Sequence, residues 1–100
     1  MNFAFDDRKL QTLYITGKGK IARQLAREII DKFFISLEIV ASVTSTDQLR
    51  QFRGLNYEAL KGNRKGQHSL RLNDQYRLIV EESVDGNGQI LLIIEIDDYH

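Results

Sequence analysis

The chain has 100 residues, no cysteine and no proline, and its 14 basic residues balance its 14 acidic ones. The lack of cysteine excludes disulfides, a thiolate nucleophile and a Cys-based zinc site. The length fits one domain, residues 1–100, and the longest aliphatic run, residues 90–94, is far too short to span a membrane. We therefore expect a soluble protein that stays in the cytoplasm.

The N-terminal half is expected to be mainly helical. Residues 3–5 can form a short strand, and Asp6 or Asp7 can cap a helix that follows it. The Gly-Lys-Gly at residues 17–19 fits a helix end better than a phosphate-binding loop, because the spacing of such a loop is absent. In residues 21–43 apolar side chains recur every three or four positions. This pattern predicts one long helix of roughly 35 Å.

The C-terminal half is expected to form a sheet. One or two helical turns near residues 48–52 end before Gly54, and apolar residues then alternate with a period of two. The alternation predicts an antiparallel meander of four strands, at residues 57–60, 66–72, 76–82 and 89–97, with a hairpin turn at residues 85–88. The unbroken aliphatic run of the last strand indicates a central position. N-terminal helices packed on one face of a small, antiparallel-rich sheet define an α+β fold.

Charge is distributed unevenly along the chain. Residues 60–80 carry five cations and one acid, whereas residues 81–98 carry six acids and no cation. Local basicity on a small sheet is what a protein needs to hold a phosphate backbone. We expect the basic and acidic groups to occupy different surfaces. The alternative is a hairpin whose charges only keep it solvated.

The strand alternation also assigns side chains to faces. Arg71 and Arg77 are expected to share the exposed face, and His68 is expected at the edge of the apolar face. We therefore interpret His68 as structural; as a metal ligand it would lack a partner, since the only other histidine is His100. A terminal residue is often frayed, but an imidazole placed there can also donate or accept a proton near neutral pH.

Three segments together resemble one protein family. They are Leu60-Lys61-Gly62-x-Arg64-Lys65-Gly66, Leu72-Asn73-x-x-Tyr76-Arg77-Leu78 and the terminal Asp98-Tyr99-His100. In this combination the chain resembles the HigB toxins of the RelE/ParE superfamily, from bacterial toxin–antitoxin pairs. The resemblance implies a RelE-like, microbial-ribonuclease-like fold. It also implies a metal-independent endoribonuclease, without a cofactor, that cuts messenger RNA in the A site of the 70S ribosome.

The resemblance implies partners as well. A HigA-like antitoxin with a helix-turn-helix domain would neutralise the toxin in the bacterial cytoplasm, and operator DNA would be reached only through that antitoxin. A membrane is not expected among the partners. Residue by residue, Lys61 and Arg77 match the family's phosphate-binding cations, and Asp98, Tyr99 and His100 match its C-terminal catalytic cluster.

Glu58 departs from the HigB pattern, which has a histidine three residues before the lysine. The related YoeB toxins carry a glutamate there as the general base, so Glu58 is our candidate base, with a structural ion pair to the basic loop as the alternative. His100 is the candidate acid. Arg64, Lys65 and Arg71 are expected to bind ribosomal or messenger phosphates at a distance from the cut.

Two other functions are compatible with the same sequence. One is a non-catalytic inhibitor of DNA gyrase on the same fold, like the ParE branch, although ParE-like chains generally lack the basic loop and the terminal Tyr-His. The other is a plain interaction domain whose basic hairpin binds an acidic partner.

Overall fold

Strand β1, Asn2–Phe5, and helix α1, Arg8–Thr16, begin the chain as predicted. The computed structural model describes residues 1–98. The Asp7 carboxylate caps α1 by accepting a hydrogen bond from the backbone N–H of Leu10 at 3.3 Å. At the other end Gly17 adopts a left-handed conformation with φ 69°. This glycine is therefore a helix C-cap, as the sequence indicates.

The single long helix predicted for residues 21–43 is wrong. Two helices occupy this segment, α2 at Lys20–Gln24 and α3 at Arg27–Ser42, because Leu25 and Ala26 adopt extended backbone conformations. The break lets α2 pack against α1 while α3 contacts β1. Helix α3 is therefore only about 24 Å long. Neither glycine nor proline marks the break, so no local signal in the sequence predicts it.

Short helical segments lead from α3 to the sheet. Helix α4 spans Thr46–Leu49, and a 3-10 turn spans Arg53–Leu55. A helical turn is thus present near residues 48–52, although α4 begins two residues earlier. The expected end before Gly54 is wrong, because the 3-10 turn at Arg53–Leu55 contains that glycine. Both bring a leucine into the core, since Leu49 and Leu55 are buried.

Four more strands complete the sheet: β2 at Glu58–Ala59, β3 at Gln67–Arg71, β4 at Tyr76–Asp85 and β5 at Gly88–Asp98. A 3-10 turn at Gly62–Arg64 separates β2 from β3. The strand order is β1-β5-β4-β3-β2, with β1 parallel to β5 and the other pairs antiparallel. The α+β class and the antiparallel meander are confirmed. Strand β5 lies inside the sheet, as expected, whereas β2 is shorter than predicted and forms one edge.

The helices cover one face of the sheet and bury the core against it. Its fully buried side chains come from helices and strands alike and include Leu10, Leu13, Phe33, Leu37, Val40, Leu70, Leu78, Val80, Leu91 and Ile93. In the part of the chain that the structure describes, no helix has the length and apolar character needed to cross a bilayer.

A β-bulge decides which way the end of β5 faces. The pairing of β4 with β5 shifts between Ile79 and Val80, so that Ile79 lies opposite Glu95 and Val80 lies opposite Ile93. One extra residue on β5 reverses the alternation of side chains beyond it. As a result Ile93 faces the helices, whereas Glu95 and Asp97 project from the opposite side of the sheet, here called the open face.

Candidate functional site

Charged side chains meet on the open face near β2. One row of cross-strand neighbours runs over this face from β2 to β5: Glu58, Ser69, Ile79 and Glu95. The next row contains Arg71, Arg77 and Asp97, each directly opposite its neighbour. The prediction that Arg71 and Arg77 share a face is therefore confirmed.

A surface pocket of about 350 Å³ lies at the β2 edge, lined by Glu58, Ala59, Leu60, Lys61 and Arg64. The local backbone explains why these side chains meet. Strand β2 stays attached to β3 through the Leu60 N–H, which donates to the Gln67 carbonyl at 2.9 Å. The chain then turns at Gly62, whose φ of 65° suits glycine. Lys61 lies just before this turn and Arg64 just after it, and both line the pocket together with Glu58.

Glu58 presents an available carboxylate to this pocket. The residue is exposed, and within residues 1–98 its side chain forms no ion pair and no hydrogen bond. The alternative interpretation, a structural ion pair with the basic loop, therefore finds no support in the described part of the chain. A carboxylate without a fixed partner keeps its lone pairs for a substrate proton.

Arg64 crosses the open face from this pocket to β5. Its guanidinium pairs with the Glu95 carboxylate, lies 3.9 Å from the Asp97 carboxylate and donates to Oε1 of Gln67 at 3.0 Å. The expected separation of basic and acidic surfaces is therefore wrong at this point, because two acids of β5 lie beside the basic loop. Arg64 also lies nearer to Glu58 than expected, since both line the same pocket.

The remaining predicted cations differ in their surroundings. Lys61 and Lys65 are exposed and have no ion pair within residues 1–98. Arg71 pairs with Asp74 across the turn between β3 and β4. Arg77 is half-buried, and its Nη1 donates to the Asn73 carbonyl at 3.2 Å.

Glu58 and Arg77 lie on the same face of the sheet, two strands apart. They lie two residues apart in register, so strand spacing places their Cα atoms about 12 Å from each other. The Arg77 guanidinium donates to the Asn73 carbonyl, on the far side of the Arg71–Arg77 row from Glu58. The two side chains therefore share the open face, but Arg77 lies outside the pocket that Glu58 lines.

The C-terminal cluster is only partly described. Asp98 lies opposite Tyr76, on the helix-facing side of the sheet that also carries Leu78 and Ile96. Its carboxylate accepts a hydrogen bond from Nε2 of Gln75 at 3.1 Å. Tyr99 and His100 lie outside the described residues, and their roles stay predictions.

A partly buried polar cluster behind β2 was missed from the sequence. The Tyr57 hydroxyl donates to Oε2 of Glu82 at 2.6 Å, His68 Nε2 lies 3.5 Å from the same oxygen, and the Tyr57 and His68 rings stack at 4.9 Å. Burial and the Glu82 carboxylate raise the pKa of Tyr57 well above its ordinary value. The sequence contained one signal for this cluster. Glu82 follows the buried Leu78 and Val80 at intervals of two residues, which places it on the same face of β4. The prediction that His68 is structural agrees with this cluster.

Comparison with known proteins gives a consistent result. Residues 3–100 match the model of the family described as RelE-like toxin of type II toxin-antitoxin system HigB. Toxin HigB-1 of Vibrio cholerae serotype O1 is 37% identical over 86 residues, which cover 86% of this chain and 87% of that protein.

Solved structures of similar fold include two YoeB proteins. The YoeB/ParE toxin from Agrobacterium tumefaciens superposes with a TM-score of 0.61 at 18% identity, covering all of both chains. A chain of the YoeB-YefM complex from Staphylococcus aureus gives a TM-score of 0.52 at 22% identity, covering 100% of this chain and 97% of that one. At these identities the likeness concerns the fold alone.

Proposed function

The chain belongs to the HigB family of RelE-like toxins from type II toxin–antitoxin systems, and on this premise we propose that it is a ribosome-dependent endoribonuclease. The toxin enters the ribosomal A site, cuts the messenger RNA there and stops translation until its cognate antitoxin neutralises it. The fold and the family are compatible with this activity, and the open-face pocket supplies groups for it.

The chemistry can be assigned to side chains without a metal. RNA carries its own nucleophile, the 2′-hydroxyl, so the protein must remove its proton, stabilise the charge on the phosphorane and protonate the leaving 5′-oxygen. Glu58 is the proposed base and His100 the proposed acid. Lys61 and Arg77 stabilise the negative charge that grows on the phosphate oxygens in the transition state.

The single observation that carries the proposal is the pocket in which the Glu58 carboxylate lies beside Lys61, on the face that also carries Arg77. Lys61 suits the charge-stabilising role because it has no ion pair within the described residues. Arg64 suits a shaping role, because Glu95 and Asp97 already offset its charge. Because these carboxylates already hold the Arg64 side chain in place, little conformational entropy is lost at that wall of the pocket when substrate binds.

The other predicted residues support binding in this proposal. Lys65, and Arg71 once it exchanges Asp74 for a phosphate, contact ribosomal or messenger backbone away from the cut. Tyr99 stacks on a base in this proposal. Asp98 is given no role at the scissile phosphate, because it lies opposite Tyr76 on the helix-facing side of the sheet, whereas Glu58 projects from the open face.

The test is cleavage of a message held in purified 70S ribosomes, with the cut mapped by primer extension. The Glu58→Gln variant keeps the shape of the side chain but removes the base, so we expect the single-turnover rate to fall about 10²- to 10⁴-fold. The Arg77→Ala variant loses a transition-state cation, and we expect a fall of about 10²- to 10³-fold. Deletion of His100 removes the acid and should slow the same step.

Glu81→Gln is the matched control, because Glu81 also projects from the open face but lies opposite Gln67 and Leu92, outside the pocket. This variant should cleave at the wild-type rate. Wild-type rates in Glu58→Gln would refute the assignment of the base. Equal cleavage of free and ribosome-bound RNA would refute the dependence on the ribosome, and inhibition of DNA gyrase without RNA cleavage would favour a ParE-like function.

A further inference from the structure

Ser69 on β3 lies next to the proposed base. In the antiparallel pairing of β2 with β3, Ser69 is directly opposite Glu58, so the two side chains project side by side from the open face. The Cβ atoms of such a pair lie about 4.5–5.5 Å apart, within the combined reach of a serine hydroxyl and a glutamate carboxylate. Glu58 lines the pocket at the β2 edge, whereas Ser69 lies behind it, one strand further into the sheet.

The Ser69 hydroxyl is buried and has no hydrogen-bond partner within residues 1–98. The residue is 0% exposed, and its Oγ neither donates nor accepts a hydrogen bond in that part of the chain. Most buried polar groups in proteins are paired, because water no longer satisfies them. An unpaired hydroxyl beside a proposed site therefore points to a contact that forms when substrate binds.

The cross-strand neighbours of Ser69 offer it one acceptor. Ser69 lies between Glu58 on β2 and Ile79 on β4, and the isoleucine side chain has no polar atom. The Glu58 carboxylate forms neither an ion pair nor a hydrogen bond within the described residues. A carboxylate accepts and a hydroxyl can donate, so the two unpaired groups are complementary.

The neighbours along β3 are already engaged. Gln67, two residues before Ser69 on the same face, accepts a hydrogen bond from Arg64 at 3.0 Å through its Oε1. Arg71, two residues after Ser69, pairs with Asp74 and has only donors to offer. Both side chains are therefore held by other groups, and the proposed base is left as the partner.

Arg64 explains how a hydroxyl on the open face is buried. Its side chain extends from the pocket to Glu95, at the far end of the row that contains Ser69 and Ile79, so it passes over β3 and β4. Both residues beneath it are 0% exposed. A hydrogen bond formed at Ser69 is therefore sheltered from water, which strengthens it.

We propose that Ser69 is a positioning residue for the base. When RNA binds, the Ser69 hydroxyl donates to one oxygen of the Glu58 carboxylate and leaves the other oxygen for the proton of the 2′-hydroxyl. The bond fixes the rotamer of an exposed side chain, so less freedom is lost on the way to the transition state. Lys61 and Arg64 are the charged groups that face the carboxylate in the pocket. This inference rests on the proposed function, in which Glu58 is the base.

The test is a double-variant cycle, measured as single-turnover cleavage of a message in purified 70S ribosomes. Ser69→Ala removes the hydroxyl, and we expect the rate to fall about 10-fold, as for loss of a hydrogen bond to a charged group. In a Glu58→Gln background the same substitution should change the residual rate by less than about twofold, because the base through which Ser69 acts is gone. Ribosome affinity, measured by pelleting, should stay within about twofold of wild type in Ser69→Ala, since the lost contact concerns the chemical step.

Stability separates this role from a structural one. Ser69→Ala removes a buried hydroxyl that has no partner in the described residues, so the variant should be at least as stable as wild type in urea unfolding. The matched control is Ser36→Ala on α3. Ser36 is also 0% exposed, but its hydroxyl donates to the Lys32 carbonyl at 2.8 Å. This variant also loses a buried hydroxyl, and it should cleave at the wild-type rate.

Wild-type cleavage by Ser69→Ala would overturn the role of Ser69 and leave the proposed function intact. An equal loss in the Glu58→Gln background would also overturn it, because Ser69 would then act independently of the base. Weakened ribosome binding would make Ser69 a binding residue, and a marked loss of stability would make it a structural one. If the wild-type toxin itself cuts no message, the nuclease proposal falls and the role of Ser69 falls with it.

Discussion

Replacing Tyr57 by phenylalanine removes one hydroxyl from the residue that immediately precedes the proposed base. That hydroxyl donates to the Glu82 carboxylate at 2.6 Å, and Tyr57 itself is only 6% exposed. Strand β2 is two residues long, so this hydrogen bond and the stacking of Tyr57 on His68 are major attachments of the segment to the sheet. We expect the substitution to affect both stability and cleavage.

The magnitude follows from the nature of the bond. Hydrogen bonds to charged groups contribute about 1.5–3 kcal/mol. The Glu82 side chain is 31% exposed, so water can partly replace the lost hydroxyl, and we take the lower end, about 1.5 kcal/mol. For a domain of this size that lowers the melting temperature by about 6–12 °C. The cleavage rate should also fall, because β2 then holds Glu58 less firmly.

Thermal and urea unfolding followed by circular dichroism measure the stability, and the ribosome assay measures the rate. Tyr14→Phe is the matched control, since Tyr14 is 41% exposed and its hydroxyl has no hydrogen-bond partner within residues 1–98; it should change stability by less than about 0.5 kcal/mol. If Tyr57→Phe were as stable as the Tyr14 variant, the cluster would not anchor β2 and the reasoning would fail.

Two further predictions concern pH and the core. The pKa of Tyr57 is raised in the folded state above its ordinary value of 10.0, so above pH 10 the unfolded chain binds fewer protons than the folded one. The contribution of Tyr57 to stability is complete below pH 10. Above pH 10 the free energy of unfolding should fall by up to about 1.4 kcal/mol per pH unit. Urea unfolding at several pH values should show this slope in the wild type but not in Tyr57→Phe. Phe33 is fully buried, and Phe33→Ala should cost about 3–5 kcal/mol in urea unfolding. Phe52→Ala, at a side chain that is 40% exposed, should cost less than half as much, and equal losses would contradict the assigned core.

Arg64 shows how one side chain links the fold to the site. It can reach Glu95 and Asp97 only because the bulge in β5 directs both carboxylates to the open face. Without the bulge those acids would share a face with Ile93 and enter the apolar core. The bulge thus serves packing and the site at once, which is a common role of bulges near functional surfaces.

Local patterns in the sequence determined the kinds of element and several of their ends. The Asp7 and Gly17 caps act within one helical turn, and the alternation that predicts β3 and β4 comes from the two faces of each strand. The unbroken aliphatic run of β5 likewise predicts a strand inside the sheet. The combination of the basic loop with the terminal Asp-Tyr-His led to the right family. These signals succeed because each depends on residues that are close together in the chain.

Only the tertiary structure decided the break at Leu25 and Ala26, the position of β1 beside β5, and the contacts of Arg64 with Glu95 and of Tyr57 with Glu82. The partners in these last two contacts are 31 and 25 residues apart. Such contacts depend on strand order and register, and a shift of one residue, as at the bulge, changes which side chains meet. No periodicity within a single segment contains that information, because the free energy that selects the register is that of the whole packed sheet.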